Sequence, residues 1–171
     1  MIDDLINERL KKRKKLEAAG VDTYPAKVRR RGTISKILND WDELMAKQTP
    51  ISAIGRIFAI RGQGGVCFID IKDEYSGIQI VFREDNPGTT AKLSTGQAPI
   101  ENYYELIRDN LDIGDFIQAT GPAFVTKKGE KSIDATDIRM VTKSLRPIPS
   151  EWYGIENTET RLRQRYLELL L

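Results

Sequence analysis

Histidine is absent from the chain, and cysteine occurs once, at Cys67. Without histidine there is no imidazole base, no histidine zinc ligand and no histidine-containing triad. A single cysteine excludes an intrachain disulfide and fits a reducing compartment. An excess of one charge is also missing, since 27 Lys and Arg face 25 Asp and Glu for a net +2. A polyanion could therefore be gripped only through local clusters of cations. No apolar run is long enough to cross a bilayer, and the N-terminus MIDDLINERLKKRKK sets acids before bases with no apolar centre. That pattern is neither a signal peptide nor a membrane span, so a cytoplasmic protein is expected. A length of 171 residues suits one well-buried domain with an appendage, and is short for most multidomain enzymes.

The densest pattern is the stretch at 54–82, IGRIFAIRGQGGVCFIDIKDEYSGIQIVF. Its short β-branched blocks predict three strands, with turns at Gly62 to Gly65 and at Tyr75-Ser76-Gly77. Side chains alternate across a strand, so Cys67, Ile69 and Ile71 share one face while Val66, Phe68, Asp70 and Lys72 share the other. On the next strand Ile78, Ile80 and Phe82 oppose Gln79, Val81 and Arg83. Phe68 thus falls on the polar face, with an amide and a guanidinium on the adjacent strand. An exposed aromatic ringed by hydrogen-bonding side chains is what a reader of single-stranded nucleic acid needs. A one-residue slip at Gly64-Gly65 would instead turn Phe68 into the core. Asp70, Asp73 and Glu74 lack the glycine and the spacing of a calcium loop, so no metal site is assigned.

Around this block the elements are read as follows. Residues 2–19 predict a helix with a thin apolar stripe at Ile2, Ile6, Leu10 and Leu16, ended by Gly20. Its basic middle includes Lys11, Lys12, Arg13 and Lys14, and Arg29, Arg30 and Arg31 form a second knot after Tyr24-Pro25. Both are either solvated faces or strips for RNA phosphates. Thr33 reads as the N-cap of one helix running to Lys47, with a broad apolar face from Ile34 to Met45 for packing on the sheet. A loop at Glu84 to Pro99 leads to a short helix with Tyr103, Tyr104, Ile107 and Leu111. Two further strands flank a Lys127 to Glu130 hairpin, with Pro122 at an edge or bulge.

Three strands, a helix and a two-stranded hairpin make the element order of an OB-fold, a five-stranded Greek-key barrel, here with N-terminal helices and so α+β overall. Small sandwiches and SH3-like barrels lack that helix. Beyond Pro147 and Pro149, Thr158 to Leu171 predicts a helix whose Leu162, Tyr166, Leu169 and Leu170 find nothing to bury them, as if the chain were cut from something larger.

The basic N-terminal helix, the block GVCFIDIKDEYSGIQIVF, the hairpin TKKGE and above all SLRPIPSEWYGIENTETRLRQRYLELL resemble the N-terminal part of bacterial-type class II lysyl-tRNA synthetases. Tyr153 stands where such relatives often carry His. The resemblance implies a helical extension at 1–48, an anticodon-binding OB domain at 49–144, and at 145–171 a linker with the first helix of an absent catalytic domain. It implies binding of the tRNA(Lys) anticodon loop, and a full-length homodimeric ligase using ATP and Mg²⁺ whose signature motifs would lie past Leu171. No catalytic residue is expected here. Phe68 matches the aromatic that stacks on the central anticodon uracil, Arg61 and Gln79 match its hydrogen-bonding partners, and Glu130 matches a carboxylate near a flanking base. Arg61 fits only if its strand bends, because Gly55, Ile57 and Ala59 share its parity. Gln79 and Arg61 could otherwise be ordinary strand residues, and Glu130 mere turn chemistry. A stand-alone OB protein binding single strands, or the equivalent domain of an aspartyl or asparaginyl enzyme, are the competing readings.

Overall fold

The structure, a computed structural model, describes residues 2–30, 32–86, 100, 102–147, 158–163 and 165–170. Strands β1 (Ile51–Gln63), β2 (Val66–Lys72) and β3 (Gly77–Arg83) form an antiparallel meander. The expected parity of β2 holds: Cys67, Ile69 and Ile71 are buried while Val66, Phe68 and Asp70 are partly exposed. On β3, Ile78, Ile80 and Phe82 are buried, but so is Val81 on the outward parity. In the register Val81 stands between Phe68 and Asp134, and such a row of neighbours covers a short branched side chain.

Helix α4 (Tyr103–Asn110) follows, and its Tyr103, Tyr104 and Ile107 are buried. Phe82 meets both tyrosines, Tyr103 edge-on at 6.2 Å and Tyr104 at 5.1 Å between ring centroids. The two long strands expected after α4 are each broken. The first divides into β4 (Phe116–Gly121) and β5 (Ala123–Val125), the second into β6 (Lys131–Ala135) and β7 (Asp137–Thr142). Pro122 lacks an N–H and breaks the first ladder. At Gly121 an added Cβ would lie 1.9 Å from the Asp134 carbonyl oxygen, so only glycine lets the two bent strands cross there.

These bends close the barrel. The near halves, β4 and β7, extend the sheet beyond β1, whereas the far halves, β5 and β6, pair beyond β3, giving the order β5-β6-β3-β2-β1-β4-β7. The hairpin therefore spans both edges of the meander, with β6 parallel to β3. Five long strands, two of them bent, form the OB-fold, and its inward residues make one core with α4 and the N-terminal helices.

The single helix expected from Thr33 to Lys47 is two, α2 (Ile34–Asn39) and α3 (Trp41–Lys47), separated at Asp40. Thr33 caps α2 by accepting from the Lys36 N–H at 3.2 Å. Ile34, Ile37 and Trp41 are buried on either side of the break, so the apolar face survives it. Asp73, in the β2–β3 turn, accepts from the N–H groups of Ile34, Tyr75 and Ser76 and from Arg30, tying α2 to the barrel.

Helix α1 (Ile2–Ala18) docks differently from its expected apolar stripe, since Ile2 is exposed and only Leu16 is buried. Charged groups at helical spacing add to the anchor that Leu16 provides in the core. Arg9 donates to the carbonyl oxygens of Ile113, Ser144 and Arg146, and Lys12 pairs with Asp112 at 2.6 Å. Behind them lies Lys143, fully buried, with its ammonium 2.5 Å from Asp112 and 2.7 Å from Asp115. Burial, partly opposed by Lys143, holds the Asp115 carboxyl above the usual carboxylate range. At the C-terminal end, the expected helix is α5 (Thr158–Arg163) followed by a 3₁₀ turn at Arg165–Leu170. The residues at 87–99 and 148–157, within the expected loop and linker, lie outside the described residues.

Candidate nucleic-acid interface

Register decides which side chains share the outer face. Along β1 the pairing with β2 shifts at Phe58: Ile57 faces Ile71, but Ala59 faces Asp70. One residue is added on β1 alone, so its parity inverts beyond the bulge. Ile60 then faces the buried Ile69, and Arg61 faces Phe68 across the ladder. This is the bend that the sequence required for Arg61. Opposed residues of an antiparallel pair lie on one face, so Arg61 and Phe68 stand side by side on the outside.

The neighbouring row runs Ala59, Asp70, Gln79 and Ser132 across β1, β2, β3 and β6. Phe68, Arg61 and Gln79 are thereby brought onto one outward face. Two residues that the sequence did not mark as readers set their geometry. Asp70 takes Nη1 of Arg61 at 2.7 Å and Nη2 at 3.0 Å, a bidentate pair that orients the guanidinium plane. These bonds, against a smaller opposing desolvation, hold the Arg61 pKa above its ordinary value, and Glu130 adds to the effect. Ser132 donates its hydroxyl to Oε1 of Gln79 at 3.1 Å. The sequence placed Asp70 on the face of Phe68 and among the carboxylates of a rejected metal site, but gave no sign that it meets Arg61. The parallel β3–β6 pairing that places Ser132 beside Gln79 joins residues 53 apart in sequence and leaves no local signal.

What remains free is the chemically useful part. A guanidinium has five N–H donors, and Asp70 engages two, leaving three for a ligand. With Ser132 on its oxygen, Gln79 retains both amide N–H groups and a second lone pair. Glu130 is exposed at the β5–β6 turn, where Thr126 and Gly129 close the loop by backbone hydrogen bonds. Its backbone carbonyl oxygen lies 3.3 Å from the Ser132 hydroxyl that meets Gln79.

The basic residues divide into two groups. Lys11 and Lys14 are exposed, as is Arg29, whose backbone carbonyl accepts from Gln118. Lys12 is committed to Asp112, and Arg13 to Glu17 at 2.7 Å and to the face of Tyr24 at 5.0 Å. Arg30 forks onto Asp73 and Glu74. Arg31 lies outside the described residues. Among the described residues, no helix is long and apolar enough to cross a membrane.

Comparison with known proteins bears on this surface. A family model for tRNA anti-codon domains, described as an OB-fold nucleic acid binding domain, matches residues 51–141. A lysine–tRNA ligase of Carboxydothermus hydrogenoformans is 36% identical over 170 residues, covering 99% of this chain and 32% of the relative. Lysine–tRNA ligases of Roseiflexus sp. (strain RS-1) and Clostridium botulinum (strain Langeland) are each 34% identical, with 32% and 31% of their lengths covered. The chain spans about a third of the length of the curated relatives it matches.

Proposed function

Because the chain belongs to the OB-fold nucleic acid binding domain family, we propose that it binds the anticodon loop of tRNA(Lys) and reads the central uracil. Phe68 is the stacking platform, Gln79 and Arg61 are the selectors, and Glu130 accepts from a flanking base. Residues 49–144 form the reading domain, 1–48 a helical extension, and 145–171 the start of a catalytic domain. The larger protein is a cytoplasmic, homodimeric lysine–tRNA ligase that joins lysine to tRNA with ATP and Mg²⁺, and the stretch described here contributes recognition without chemistry. The observation that carries this reading is the bulge at Phe58, which brings Arg61 beside Phe68.

Uracil presents acceptor, donor, acceptor along its pairing edge. The Gln79 amide can give an N–H to one oxygen and accept from N3–H, while Arg61 donates to the other oxygen. Cytosine puts an amino donor where uracil has O4, so donor would face donor. Leaving those groups unsatisfied costs about 1 to 3 kcal/mol, roughly 5- to 150-fold in affinity. Stacking on Phe68 adds attraction without choosing among bases. Exposed Lys11, Lys14 and Arg29 supply phosphate contacts, to which Arg31 adds.

The test is a titration of a lysine anticodon stem-loop against the same loop with its central uracil changed to cytosine. Weaker binding of the cytosine loop is expected. Equal affinity would reduce the site to the second reading, a general single-strand binder, which the outward, partly exposed aromatic alone also supports.

A further inference from the structure

The outward row through Gln79 continues beyond the residues assigned above. Ser132 faces Phe124 of β5 in the antiparallel register, so Phe124 shares the outer face with Gln79. Its ring is half-buried and carries the Arg83 guanidinium 5.3 Å from its centroid. Arg83 comes from β3 and reaches across β6, where Asp134 lies 3.5 Å from its Nη1. The other oxygen of Asp134 is buried and has no hydrogen-bond partner among the described residues.

We propose that Arg83 and Phe124 form a second base-stacking platform, which holds a nucleotide flanking the one on Phe68 in the same RNA strand. This rests on the single-strand RNA reading given above. A guanidinium stacked on a ring keeps its opposite face open to a base, and such cation and ring layers are how proteins hold unstacked nucleotides. The Arg83 side chain retains 36% of its exposure, so part of it stays accessible to a ligand. Asp134 restrains the guanidinium through the ion pair on its Oδ2. From β2 to β5 the sheet steps through β3 and β6, about 14 Å at the usual strand spacing of about 4.8 Å. Bases stacked directly on one another are only about 3.4 Å apart. One base cannot serve both rings, whereas an unstacked strand drawn across the face can reach each with a different base.

The experiment uses the full 171-residue chain and lysine anticodon stem-loops, each with one loop nucleotide made abasic. With the intact loop, Phe124→Ala is expected to weaken binding by about 5- to 150-fold. That loss should vanish when one particular nucleotide other than the central uracil is abasic, and Arg83→Gln should lose its effect at the same nucleotide. Circular dichroism melts identify any variant that fails to fold, in which case Arg83→Gln, at a partly exposed side chain, decides alone. Unchanged binding of the folded variants, or a loss that persists with every abasic loop, overturns the second platform. Phe68→Ala measured alongside separates the two readings: if it weakens binding while Phe124→Ala and Arg83→Gln do not, only the second platform falls. If all are silent, the single-strand reading falls with it.

Discussion

Replacing Phe68 by Ala should weaken RNA binding and spare the fold, whereas replacing its neighbour Ile69 by Ala should do the reverse. The two side chains point to opposite faces of β2: Ile69 has no exposed surface, and Phe68 is half-exposed beside Arg61. Truncating a buried isoleucine removes its transfer energy and leaves a cavity, about 2 to 5 kcal/mol together. In a chain of this size each kcal/mol lowers the melting temperature by about 2 to 4 °C, so Ile69→Ala should melt about 4 to 20 °C lower. Phe68→Ala should cost about 1 kcal/mol or less. For the anticodon loop the order inverts, because losing a base-stacking ring removes about 1 to 3 kcal/mol, roughly 5- to 150-fold in affinity. Thermal melts by circular dichroism and fluorescence anisotropy titrations of a labelled stem-loop measure both quantities. A Phe68→Ala melting drop as large as that of Ile69→Ala would place the ring inside. Undiminished affinity in a folded Phe68→Ala protein would refute the stacking role.

Asp70→Asn removes the carboxylate that holds the Arg61 fork, so discrimination between central uracil and cytosine should shrink while overall binding persists; unchanged discrimination in paired titrations would show that Asp70 does not orient the reader. Lys143→Met leaves the Asp112 and Asp115 carboxylates without their buried cation, and urea unfolding should show about 3 to 5 kcal/mol of lost stability. A loss well under 1 kcal/mol would mean that the two carboxylates are balanced by other groups. Lys11→Gln with Lys14→Gln should flatten the dependence of log affinity on log salt by about 1.4, for two phosphate contacts on a single strand, with no change in melting. Lys12→Gln should instead lower the melting temperature, since Lys12 ties α1 to Asp112; an unchanged salt slope for the first pair returns that face to plain solvation.

Local chemistry made much of the fold legible. The period of two in VCFIDIK separates Cys67, Ile69 and Ile71 from Phe68 and Asp70, and burial follows that separation. Thr33 caps a helix as its hydroxyl suggests, and the Tyr103 to Leu111 pattern yields the buried face of α4. Harder to read were elements whose form depends on distant partners. The stripe Ile2, Ile6, Leu10 and Leu16 pointed to apolar docking of α1, yet Ile2 is exposed, Leu16 is the residue of the stripe that is buried, and Arg9 and Lys12 add polar ties whose acceptors arrive from residues 112–146. The break at Asp40 leaves the apolar spacing unchanged, so periodicity alone could not reveal it.

For the proposed reading surface, the sequence by itself determined that Phe68 shares a strand face with Asp70, and Gln79 with Val81 and Arg83, because strand parity is a property of consecutive residues, while the register after Gly64-Gly65 decided that these faces point outward. Only the tertiary structure decided the face of Arg61, since the bulge at Phe58 appears only when β1 is paired against β2. The same holds for Asp70 beside Arg61, Ser132 beside Gln79 and Phe124 beneath Arg83. Asp70 meets Arg61 through the bulged β1–β2 register, whereas Ser132 and Phe124 come from registers set by barrel closure and by the bends at Gly121-Pro122 and Thr136 rather than by spacing along the chain.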